Sequence, residues 1–145
     1  MKIVKVEEVK LEQKEPKEPM DAFNIFLFVN PKSGSRKGQK LLEHEFRAIN
    51  FALSNGKVGR MNIIDITDAE RKESGYIEMQ RQLMRVPETK TRIIFAIACG
   101  DGTILTLLDE ASTKWDIDLN SLQICVLPFG TGNDFAIIMG WGPQP

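Results

Sequence analysis

Three short stretches of the chain set glycine beside a hydroxyl and an amide or acid. They are Asn-Pro-Lys-Ser-Gly at Asn30 to Gly34, Cys-Gly-Asp-Gly-Thr at Cys99 to Thr103, and Gly-Thr-Gly-Asn-Asp at Gly130 to Asp134. A phosphate needs donors aimed inward and a backbone that comes close. Glycine provides the approach, and the first N–H groups of a helix provide aligned donors with partial positive charge. Ser33, Gly34, Gly100, Gly102, Thr103, Gly130, Thr131 and Gly132 are therefore candidate phosphate contacts. Taken singly, each stretch also fits a strand-to-helix turn with a capping hydroxyl. Asp101 needs its own reason, because a carboxylate beside phosphate is repelled unless a cation intervenes. Mg²⁺, held directly or through water, is one reason; capping of the following helix is the other. Asp134, just before an apolar segment, fits a helix N-cap, and Asn133 can bond backbone or ligand.

Neither familiar nucleotide fingerprint is met. The run from Gly34 to Lys40 has the wrong glycine spacing for a P-loop and no hydroxyl after Lys40. The pattern GxGxxG starts at Gly100 and again at Gly130, but Leu105 and Phe135 stand where its third glycine belongs. Lys32 and Arg36 lie close enough to the first stretch to reach phosphate, although the basic run Arg36 to Lys40 also fits a solvated helical turn. His44 has no second histidine for a metal or a triad, and Phe129 and Trp141 read as packing residues or as contacts for adenine or lipid. Cys99 and Cys125 belong to no CxxC or Cys/His set and are expected as reduced, buried thiols.

The elements that would position these stretches follow from the apolar pattern. Asn24 to Asn30 is a continuous apolar run closed by Asn-Pro, which predicts a buried strand and a turn. Leu42, Phe46, Ile49 and Leu53 recur at helical spacing, and Ser54-Asn55-Gly56 closes that expected helix. A second strand is expected at Met61 to Ile66 and a long loop at Thr67 to Ser74. A helix bearing Tyr76, Met79, Leu83 and Val86 then runs until Pro87 stops it. Arg92 to Cys99 and Leu122 to Pro128 are further strands, separated by a helical stripe of Ile104, Leu107, Leu108 and Ala111, and Asp134 opens a last helix. Strands alternating with helices imply an α/β fold, Rossmann-like, with a mostly parallel sheet and helices on both faces. Ligands of such sheets sit beyond the carboxyl ends of the strands, where all three stretches fall.

Composition bounds the rest. The 145 residues allow one globular domain, expected over residues 22–145 after a charged arm and linker over residues 1–21 that includes "EQKEPKEP". Nineteen basic against twenty acidic side chains leave a net charge of −1, so no global field attracts nucleic acid and no nucleic-acid partner is expected. No apolar run approaches the roughly 20 residues that span a bilayer. The first residues carry acids and no unbroken apolar core of a signal peptide. A cytoplasmic location with peripheral membrane contact is the expectation.

In this order and at these separations, "FLFVNPKSG", "CGDGT" and "LPFGTGNDFA…WG" resemble the catalytic domain of diacylglycerol kinases. These are lipid kinases that share a phosphofructokinase-like nucleotide fold with NAD kinases. The resemblance implies that Asn30, Ser33 and Gly34 contact the phosphates or ribose of ATP. It implies that Gly100, Asp101, Gly102 and Thr103 form the phosphate loop, with Asp101 catalytic and at Mg²⁺. Gly130, Thr131, Gly132, Asn133 and Asp134 would close the site. The implied reaction moves the γ-phosphoryl group of ATP to diacylglycerol at a membrane surface, giving phosphatidate. Sphingosine, ceramide and NAD kinase types are related alternatives, and a non-catalytic nucleotide-binding module of the same fold is another. Three departures stand out: Cys99 replaces a glycine, Ile137 replaces an arginine, and a C-terminal lobe carrying the general base is expected to be missing after Pro145. The isolated chain is expected to show little kinase activity.

Overall fold

The computed structural model describes residues 22–34, 36–43, 47–52, 56–89, 91–140 and 142. In chain order the elements are β1 (Phe23–Val29), α1 (Lys37–Leu42), β2 (Ala48–Ala52), β3 (Val58–Asp65), α2 (Ala69–Thr89), β4 (Arg92–Cys99), α3 (Asp101–Thr113), β5 (Gln123–Pro128) and α4 (Asp134–Ile138). A short 3-10 turn at Leu119–Ser121 leads into β5. The strands form one sheet in the order β2-β3-β1-β4-β5. β1 runs parallel to both β3 and β4, β4 runs parallel to β5, and only β2 is antiparallel. The α/β, mostly parallel architecture agrees with the reading of the apolar runs.

Burial follows the pleat. On one face Phe26, Phe28, Ile64, Phe95, Ile97 and Val126 pack with Tyr76 and Met79 of α2, Ile104, Leu107 and Ala111 of α3, and Ala136 of α4. On the other face Leu27, Val29, Ile63, Ala96 and Ala98 pack with Phe129 and with Leu41 and Leu42 of α1. Helices thus flank both faces, unequally: three on the first and the six-residue α1 on the second.

Three local expectations are corrected. The helix expected through Leu42, Phe46, Ile49 and Leu53 ends at Leu42, and Ala48–Ala52 is instead the antiparallel edge strand. Phe51 rests against Phe23 with ring centroids 5.2 Å apart, and Gly59 leaves the room, since a Cβ there would lie 2.5 Å from the Phe51 ring. Aromatic pairing across strands outweighs the helical spacing. The loop expected at Thr67 to Ser74 is mostly helix, because the Asp68 side chain accepts from the Arg71 amide at 3.1 Å and caps α2, which begins at Ala69. Nor does Pro87 stop α2, which runs two residues further to Thr89. A proline removes one bond to the carbonyl four residues back, and so near the end few further bonds depend on it. Residues 1–21, His44, Phe46, Leu53, Trp141 and residues 143–145 lie outside the described residues.

Tyr76 ties the helical layer together. Its ring stacks on Trp115 at 5.9 Å and packs on Phe28 at 4.7 Å, and its hydroxyl donates to the Leu107 carbonyl at 2.9 Å. Tyr76→Phe keeps the ring and removes that bond, so urea unfolding should show a loss of about 1 kcal/mol. Tyr76→Ala also opens a cavity and should lose about 3–5 kcal/mol.

Candidate functional site

Val29 pairs with Ala98, and Cys99 pairs with Pro128, so β1, β4 and β5 finish together and release their loops on one edge. The chain leaves β1 toward β3 on one side and returns through β4 on the other. The crevice between β1 and β4 is therefore the place where parallel sheets bind ligands.

The first loop is folded on itself. The Asn30 side chain accepts from the Lys32 amide at 3.0 Å, and the Asn30 carbonyl accepts from the Ser33 amide at 3.2 Å. Ser33 reaches the second loop, where its hydroxyl oxygen accepts from the Gly100 amide at 3.0 Å. Gly34 has φ of 51° and passes so close to the third loop that a Cβ would lie 2.5 Å from the Phe129 carbonyl oxygen. In the third loop the Asn133 side chain brackets Gly130, accepting from its amide at 2.9 Å and donating to its carbonyl at 2.8 Å. A Cβ on Gly130 would overlap Gly100 Cα. Asp101 closes the arrangement: its amide donates to the Gly132 carbonyl at 3.4 Å, and its carboxylate accepts from the amides of Asp134 at 2.8 Å and Phe135 at 3.3 Å.

These bonds use up most of the loop amides. Among the described residues, the amides of Gly34, Gly102, Thr131 and Gly132 have no protein acceptor. All four residues line one concavity of about 340 Å³ together with Ser33, Gly100, Asp101, Thr103 and Gly130. The glycines there are of two kinds. Gly34 and Gly130 are required by the closeness of neighbouring backbone, whereas a Cβ at Gly102 would meet nothing within 4 Å and one at Gly132 only Asp101 at 3.6 Å. Internal packing does not account for the second kind. A cluster of unsatisfied amides beside open glycines suits a multiply charged anion.

The structure thus brings together nine of the residues singled out from sequence and leaves Asn30, Asn133 and Asp134 out of the lining. Asn30 and Asn133 shape the loops. Asp134 is the first residue of α4 rather than its cap; Asn133 makes no side-chain cap bond, and the carboxylate over that helix end comes from Asp101. Asp101 therefore caps α4 and not the helix it begins, whose N-cap is Gly100. Cys99 is the buried last residue of β4, and among the described non-glycine residues only Arg36 and Asp116 have positive φ, so the cysteine there carries no backbone strain. Phe129 is buried in the second face of the core, and Ile137 is 50% exposed. Both cysteines are free thiols; Cys99 is buried and Cys125 half-buried.

Sequence reasoning missed an adjoining groove of about 630 Å³ lined by Lys32, Arg36, Gln39, Leu42, Glu43 and Asp65. The available signal was that Asp65 ends β3 opposite Val29, on the same edge as the three loops. Its carboxylate accepts from the amide and hydroxyl of Thr67 at 2.8 and 2.7 Å. For a metal the donor set is thin: among the described residues no three His, Cys, Asp or Glu side chains converge. Asp101 is the one acid lining the concavity, with both oxygens accepting backbone amides. The residues present fit phosphate better than they fit a protein-held divalent cation.

Comparison with known proteins gives the same direction. The family model for the diacylglycerol kinase catalytic domain matches residues 24–145. A Caenorhabditis elegans protein named as a diacylglycerol kinase is 34% identical over 121 residues, which cover 81% of this chain and 11% of that protein. Human diacylglycerol kinase zeta is 31% identical over 122 residues, covering 81% of this chain and 11% of its own length. Mouse diacylglycerol kinase iota is 33% identical over 122 residues, covering 81% and 9%. The chain therefore spans about a tenth of the length of these relatives. No solved structure matches it.

Two measurements check the geometry of the cradle. Gly130→Ala forces Cβ into the second loop and should lower stability by about 1–3 kcal/mol in urea unfolding. Burial, and after it the Asp101 carboxylate, pushes the Cys99 thiol from 9.0 up to about 12. A raised thiol value means the folded state disfavours thiolate, so that contribution is intact below pH 9 and is lost as pH climbs toward 12. Denaturation midpoints should fall over that window, with a shallower fall in Cys99→Ala.

Proposed function

From the premise that the chain belongs to the diacylglycerol kinase catalytic domain family, which it matches over residues 24–145, we propose that it is the nucleotide-binding lobe of an ATP-dependent lipid kinase. The observation that carries this reading is the set of open amides at Gly34, Gly102, Thr131 and Gly132 around one concavity. Backbone amides are suited to a phosphate chain because they offer fixed donors without a counter-charge that would need desolvating. The neighbouring groove, with Lys32, Arg36 and Asp65, supplies walls for the nucleoside.

The reaction is transfer of the terminal phosphoryl group of ATP to the free hydroxyl of diacylglycerol, giving phosphatidate, with the acceptor met at a bilayer surface. No helix among the described residues is long and apolar enough to cross a membrane. Mg²⁺ carried on the phosphates would supply charge neutralisation. The work of this chain is to hold the phosphates in line and keep them fixed, and positioning is a large part of phosphoryl-transfer catalysis. A general base must reach the acceptor hydroxyl. Asp101 already accepts two backbone amides, so proton removal is assigned to another group. The same engagement favours, as a second reading, a module that binds nucleotide without turning it over.

Gly102→Ala separates ligand contact from folding. Open space around that position, and the better helix propensity of alanine, should leave the melting temperature unchanged or slightly raised. Isothermal titration with Mg·ATP should show at least a tenfold loss of affinity, and unchanged affinity would remove the cradle as the phosphate site. In micelles containing diacylglycerol, the protein extended to the length of its relatives should form phosphatidate. The chain of 145 residues should bind ATP with little turnover. Nucleotide binding without product in the extended protein would select the second reading.

A further inference from the structure

The geometry points to Asp101 as a positioning residue that locks the Gly130–Asp134 loop onto the Gly100–Gly102 loop, and not as a direct ligand of the nucleotide's metal. Three bonds carry this. The Asp101 amide donates to the Gly132 carbonyl at 3.4 Å, Oδ2 accepts from the Asp134 amide at 2.8 Å, and Oδ1 accepts from the Phe135 amide at 3.3 Å. One residue thus grips residues 132–135 from both ends of the peptide sequence, with backbone bonded to carbonyl and side chain bonded to amides. α4 has five residues and no cap bond from its own Asn133, so its first amides depend on a carboxylate from 33 and 34 positions earlier in the chain.

The electrostatics explain why an acid is tolerated at an anion site. Negative charge on Asp101 is directed at the positive end of α4, where two charge-assisted bonds engage it. Residues on either side of that junction, Gly102 in the first turn of α3 and Thr131 and Gly132 in the loop before α4, line the concavity with amides that have no protein acceptor. Loosening the clasp separates those amides, so Asp101 acts on the ligand through the loop it holds. A hard divalent cation wants carboxylate oxygens or water in octahedral array. Here each carboxylate oxygen already accepts one N–H, and no group of three His, Cys, Asp or Glu side chains converges among the described residues. The consequence for ligand binding rests on the nucleotide reading above; the clasp itself does not.

Asp101→Asn keeps the size of the side chain and removes its charge and one of its two acceptors. Hydrogen exchange of the Asp134 and Phe135 amides in the chain, without ligand, should accelerate about tenfold or more in the variant. Exchange rates equal to those of the unsubstituted chain overturn the clasp. Calorimetric titration with inorganic pyrophosphate in EDTA should show about a tenfold weaker affinity in the variant. The ratio of ATP affinities with and without Mg²⁺ should stay as in the unsubstituted chain. Unaltered pyrophosphate affinity together with a lost Mg²⁺ ratio would make Asp101 a metal ligand and sink the proposal. Failure of the unsubstituted chain to bind pyrophosphate would overturn the nucleotide reading instead, and the clasp would then stand or fall on the exchange rates.

Discussion

Parallel pairing is the constraint from which the rest of this molecule follows. Because β1 hydrogen-bonds in parallel to β3 on one side and β4 on the other, with β5 parallel to β4, the exits of four strands lie on one edge. Each exit must turn back through a loop and a helix, and three of those loops meet over the crevice between β1 and β4. Buried apolar strands make the pairing rigid: Phe28 and Val29 at the end of β1, and Ile97 and Ala98 near the end of β4, have no exposed surface. The loops inherit that rigidity at their roots.

Where three loops crowd one edge, backbone has to pass backbone within van der Waals distance. Gly34 beneath the Phe129 carbonyl and Gly130 against Gly100 are the solutions at the two tightest crossings. Gly102 faces no such crowding. The distinction matters for function, since a glycine with nothing near it calls for an explanation outside the folded chain itself. The same division separates the amides, some spent in tying loops together and a few left without protein acceptors.

Much of this was legible in the residues. Continuous apolar runs buried on both faces marked β1, β4 and β5 to within a residue or so, and the strand-end rule put the glycine loops together. The edge strand β2 was not legible. Leu42, Phe46, Ile49 and Leu53 sit at helical spacing, and Ser54-Asn55-Gly56 suits a hairpin turn as well as a helix stop. What decides is the meeting of Phe51 with Phe23 above Gly59, a contact between residues far apart in the chain. Asp101 was misleading for a similar reason. Local pattern offers it the helix it begins, while the amides it actually serves belong to α4.

The crossing of Gly34 with Phe129 also has a thermodynamic side. Since the first and third loops touch there, and Ser33 bonds the second, none of the three can rearrange independently of the others. Their conformational entropy is surrendered during folding rather than at the moment a ligand arrives. Association then draws mainly on contacts and desolvation. Softening any one crossing would return disorder to all three loops, and affinity would weaken through an entropic route even where no contacting atom had been removed.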